Sequence, residues 1–156
     1  MNPDPEVRKQ LLALLDGGDA HMPFDEVVAG YPVEIINRVA PHAPYSPWRL
    51  LEHMRFAQWD ILDFIRNPAY VWQPFPESGW PPLGAQADAA AWQKTLDDIQ
   101  ADWQALRDIV ADPKTDLYSD LPHAPGYTIL REILVVSDHN AYHLGELALL
   151  RTMLAG

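Results

Sequence analysis

Near the C-terminal end of the sequence, His139 and His143 stand four residues apart, and Glu146 follows. On a helix, residues four apart lie one above the other, about 6 Å apart along the axis, and Glu146 falls close to the same stripe. Two imidazoles so placed can grip one metal ion and leave room for ligands from another helix. A third histidine, His53, lies far upstream in a second amphipathic segment, with Asp60 two turns beyond it. Three neutral histidines around a divalent ion leave at least one coordination position open, whereas structural sites tend to be closed by four protein ligands. A water held there would have a lowered pKa and serve as hydroxide, and a thiol would bind as thiolate. Glu146 is the nearest acid, a candidate fourth ligand, partner of a ligating ring, or general base. Asp60 is placed to orient a water or an imidazole. Each has a plainer alternative: core histidines satisfied by hydrogen bonds, a solvated carboxylate for Glu146, a salt bridge for Asp60.

The elements that must position these groups read as helices. The last helix is expected from about Thr128, its cap, to Leu154, with a seam of Ile129, Ile133, Val136, Asn140, His143, Leu147, Leu150 and Leu154. Two polar residues stand in that seam where aliphatic ones are expected, and polar groups there lose hydration and must find partners. Ser46-Pro47 opens a second strong helix that Asn67-Pro68 stops. Its seam is Leu50, Met54, Ala57, Ile61 and Phe64, with His53 and Asp60 bordering the buried face. A third helix carries Trp92, Leu96, Ile99, Trp103, Leu106 and Val110 between a cap at Asp88 and a stop at Asp112-Pro113. Asp4-Pro5-Glu6 starts a short first helix, with Asp4 as cap, that Gly17-Gly18 ends, and 24–29 and 33–39 are each expected to be helical.

The connections are read as loops. Residues 67–85 hold five prolines interleaved with Tyr70, Trp72, Phe75 and Trp80, an ordered loop expected to bury its aromatics and cover one end of the bundle. Residues 113–127 are read as a loop in which His123 could reach the mouth of the site. Trp59 and Tyr142 are expected in the packed core or lining the cavity. No strict strand alternation and no repeat is evident. The expected architecture is all-α, a four-helix bundle forming one domain over 1–156.

Composition narrows the partners. The 156 residues carry a formal net charge of −11 with no Lys/Arg cluster, which argues against nucleic acid. No apolar run is long enough to span a bilayer, and Met1 to Lys9 lacks a signal peptide's apolar core, so a cytoplasmic protein is expected. With no cysteine, an ion must be held by histidine and carboxylate.

Trp48-Arg49-Leu50-Leu51-Glu52-His53 with Trp59-Asp60-Ile61-Leu62, and Asp138-His139-Asn140-Ala141-Tyr142-His143-Leu144-Gly145-Glu146 with Arg151 after it, resemble the paired helix signatures of the DinB-like, bacillithiol-transferase-like metal-binding bundles. The stretch from Pro122-His123 through Gly126 to Glu132 is also similar to one subgroup, and the likeness runs over nearly the whole chain. The resemblance implies an up-down-down-up four-helix bundle, a zinc or nickel ion on His53, His139 and His143, and a homodimer. It also implies a reaction of the low-molecular-weight thiol S-transferase kind, with a thiol cosubstrate. Many members of the family have Gln where Glu146 stands. The expectation is a metal-dependent thiol S-transferase or hydrolase acting on a small molecule. The alternatives are a non-catalytic, stress-associated metal-binding bundle and a metal-free interaction bundle.

Overall fold

The computed structural model describes residues 4–155; Met1 to Pro3, part of the stretch read for a leader, and Gly156 lie outside them. The protein is mostly helical. Five α-helices run in chain order: α1 (Asp4–Asp16), α2 (Phe24–Val28), α3 (Pro47–Arg66), α4 (Ala89–Ala111) and α5 (Ile129–Ala155). Helix α3 packs against α4 and α5, and α1 packs against the same two.

The helix boundaries follow from local chemistry. Ser46 caps α3 by accepting a hydrogen bond from the Arg49 amide, and Pro47 fills the first turn, where a missing N–H costs nothing. Asp88 caps α4 through the Ala91 amide, and Thr128 caps α5 through the Arg131 amide. Asp4 is not a cap outside the helix but its first residue, and its carboxylate accepts from Arg8 one turn on.

Along α3, α4 and α5 the apolar seams meet in two buried clusters. One is built around Leu50, Leu51, Met54, Ile99, Leu147 and Leu150, the other around Leu62, Leu106, Val110, Ile133 and Val136. Burying aliphatic side chains of this size contributes about 1.5–3 kcal/mol each. These two clusters hold α3 and α5 at the separation that brings their histidines together.

Four expectations are corrected. Residues 33–39 form only a single 3-10 turn, Val33–Ile35, because a segment after Pro32 this short gains little from helical hydrogen bonds; Ile35 and Ile36 dip into the core instead. Residues 113–127 are not all loop: β1 (Asp120–Leu121) and β2 (Ala124–Thr128) pair antiparallel around Pro122-His123, with a bulge. So short a hairpin has no alternation to read; it is fixed by Leu121 and Ala124 packing on Phe64. In 67–85 not every aromatic is buried, since Trp72 stays 63 % and Phe75 46 % exposed. Trp59 and Tyr142 are also exposed and are not in the packed core, Trp59 by 39 % and Tyr142 by 65 %.

Candidate metal centre

His53 sits on the side of α3 that faces α5, and it is buried, not at the border of the buried face. The loop 67–85 makes the difference. Trp80 stacks flat on the imidazole, with centroids 3.9 Å apart and planes within 3° of parallel. The Gly79 carbonyl accepts a hydrogen bond from His53 Nδ1 at 2.6 Å. A carbonyl can only accept, so the proton is on Nδ1 and the Nε2 lone pair is bare. A Cβ at residue 79 would lie 2.6 Å from the Phe75 ring, so any larger residue there would have to displace that ring.

From α5, His143 is buried and its Nδ1 lies 2.7 Å from Glu146 Oε2, one turn further along the helix. The carboxylate holds the ring proton on Nδ1 and turns Nε2 inward, the arrangement usual for a metal-ligating histidine. Glu146 is therefore engaged with a ring and stands as its partner. Tyr45 also lies beside Glu146; burial first, and then the hydrogen bond and charge of Glu146, raise the Tyr45 phenol well above its ordinary value.

His139 closes the group. Its Nε2 is 3.1 Å from His53 Nε2, and its ring centroid is 4.5 Å from that of His143. One ligand atom from each of the three histidines lies within 4.8 Å of the others. Nitrogens bound to one tetrahedral zinc at about 2.0–2.1 Å stand about 3.3 Å apart. The His53 and His139 nitrogens, 3.1 Å apart, already stand close to that spacing, the third ligand atom is within 4.8 Å of both, and the all-nitrogen donor set suits zinc or nickel. Burial, with the two neighbouring imidazoles, pushes His139 down to about 4, and burial pushes His53 below the usual imidazole range. Both rings are thus neutral at physiological pH, the form that binds metal.

The rings open onto a cavity of about 450 Å³ whose walls are Ala57, Ile61, Phe75, Pro76, Trp80 and Val135. Ile61, expected in the seam of α3, belongs to this wall and is only half-buried. Asp60 is buried on the same wall, and the Tyr70 hydroxyl donates to its Oδ1 at 2.9 Å. Burial raises the Asp60 pKa against the pull of that hydrogen bond.

His123 does not reach this group. Its Nε2 donates to the Phe64 carbonyl at 2.8 Å, and its ring packs edge-on against Phe64. The spacing of histidines had no way to reveal Gly79, Trp80 or Tyr45. Their only trace in the sequence is the density of aromatics and prolines between α3 and α4 and before α3. In comparisons with known proteins, no family model, no curated protein and no solved structure matches the chain.

Proposed function

We propose that the chain is a metal-dependent enzyme, a thiol S-transferase or hydrolase, in which His53, His139 and His143 hold a divalent ion at the floor of the apolar cavity. The observation that carries this reading is the convergence of three imidazoles on one point beside a space large enough for a small substrate. A divalent ion there would supply acidity, lowering the pKa of a bound water or thiol towards neutrality. The protein's own groups do the rest. Gly79 and Glu146 fix the proton positions of two rings, and Trp80 shields one of them from water. The apolar walls take the body of the substrate. Asp60, its charged form disfavoured by burial, is the carboxylate along the cavity lining and the candidate to exchange a proton with substrate.

The wider resemblance goes with this reading. The pairwise packing of α1, α3, α4 and α5 suits an up-down-down-up bundle of the DinB-like, bacillithiol-transferase-like type. Val135, Tyr142, Leu149 and Met153 recur on the exposed side of α5, a strip that a second copy of the chain would cover in a homodimer. Sedimentation is expected to give twice the chain mass; a monomer at micromolar concentration would remove the dimer.

The test of function joins elemental analysis to turnover. The purified chain should carry about one zinc or nickel per polypeptide, and it should accelerate the reaction of a low-molecular-weight thiol with an electrophilic acceptor, or hydrolysis of an activated ester. Chelation should end that activity. Protein with one ion per chain and no turnover across such a screen would favour the non-catalytic metal-binding bundle. Protein purified without metal and unable to take any up would leave the interaction bundle.

A further inference from the structure

Asp60 lines the cavity and is only 7 % exposed, yet the salt bridge that was the plainer alternative for it is not formed. Among the described residues its hydrogen-bond partner is the Tyr70 hydroxyl, which donates to Oδ1 at 2.9 Å. No lysine or arginine among them pairs with it, and the neighbouring charge is that of Asp63, of the same sign. A buried aspartate is seldom left without a counter-ion, because its charged form gives up hydration and needs a partner in return.

The rest of the cavity has the same bias. Its walls are apolar and aromatic, three imidazoles border it, and no lysine or arginine among the described residues lines it. An anionic ligand would meet a like charge at Asp60 and no counter-ion anywhere on the walls. A cationic one would meet the partner that the carboxylate lacks. The two polar features are also set apart: Asp60 stands two turns beyond His53 on α3, about 10 Å along the axis. A ligand that reaches both needs an apolar body between its two ends.

We propose that the cavity takes a small apolar molecule carrying a primary amine, its ammonium paired with Asp60 and its other end turned to His53, His139 and His143. An amine also agrees with proton exchange at this carboxyl: whichever partner brings the proton, the pair ends as ammonium and carboxylate. Thiols and acceptors that bear several carboxylates are selected against, because they bring more of the charge the cavity already holds. The inference rests on the enzymatic reading for its purpose and narrows its substrate, but the binding itself needs no ion.

The experiment is isothermal titration of the full-length, metal-free protein near neutral pH with phenylbutylamine, phenylbutanol and phenylbutyrate, which share one apolar body. The amine is expected to bind about 10–100-fold more tightly than the alcohol, the range of a charge-assisted hydrogen bond, and the carboxylate more weakly than either. Asp60→Asn keeps the shape and an acceptor for Tyr70 but removes the charge, so it should erase the preference for the amine and leave the alcohol's affinity in place. Equal binding of the three probes, tightest binding of the carboxylate, or no binding at all would overturn the proposal. So would an Asn variant that still prefers the amine, since the amine would then be held by the histidines. If the Asn variant does not fold, Val135→Lys decides: a cation on the half-exposed wall should weaken the amine and strengthen the carboxylate, and an unchanged order would overturn the proposal. Zn²⁺ is titrated separately. A wild type that prefers the amine but takes up no Zn²⁺ would sink the metal reading and leave this one standing; one that binds Zn²⁺ without the preference would do the reverse.

Discussion

His143→Ala is expected to abolish stoichiometric metal binding, weakening Zn²⁺ by more than the roughly 10–100-fold that follows when only a partner of a ligand is changed. The reason is geometric. His143 supplies one of three converging nitrogens, and its Nδ1 is the group that Glu146 holds. Without the ring, two nitrogens from different helices are left, and the neighbouring carboxylate has lost its hydrogen-bond donor. Equilibrium dialysis followed by elemental analysis reads the effect; unchanged metal content in a folded variant would refute the ligand assignment. Acid should give a parallel loss in the metal-free wild type. His139 is held near 4 in the folded protein against about 6.5 when free, so the unfolded chain binds more protons between those values. The stability tied to keeping it neutral is present above 6.5 and is lost as pH falls through 6.5 to about 4.

The second large effect lies far from the histidines. Arg8→Ala is expected to destabilise the fold by about 3 kcal/mol, lowering the melting temperature by roughly 10 °C for a chain of this size. Arg8 is 92 % hidden from solvent, and its guanidinium donates to the carbonyls of Val110, Asp112 and Thr115 at 2.6–2.8 Å, while Nε bonds Asp4. It ties α1 to the C-terminal end of α4, where unpaired carbonyls collect negative partial charge. Alanine leaves those carbonyls and the Asp4 carboxylate without that donor. Arg8→Lys should recover only part of the loss, because a point charge cannot fork to three acceptors. A urea titration showing less than about 1 kcal/mol of change in the alanine variant would mean that water replaces the guanidinium at little cost.

These two residues differ in how far the sequence announced them. His143 stood out because a seam of period 3.6 predicts an aliphatic residue at its position, and an exception in so regular a pattern is visible. Arg8 was invisible: on a short helix it reads as part of the polar face, and its acceptors lie more than 100 residues away in the chain. Gln58 likewise sits beside the apolar pattern of α3 with nothing local to mark it. Its meaning comes from a carbonyl on α4 and an amide on α5.

The sequence by itself determined the long helices, their caps and stops, and the three histidines worth watching, because periodicity and capping are set by residues within a few turns of one another. Tertiary structure alone decided which ring nitrogen faces inward, which acid is engaged and which lines the cavity, and that the loop after α3 places Gly79 and Trp80 on His53. It also turned part of a stretch read as loop, from Asp120 on, into a hairpin braced on Phe64. Proton position, burial and a two-residue turn depend on atoms brought together from distant parts of the chain. No local pattern encodes a hydrogen bond between groups that meet only when the helices pack.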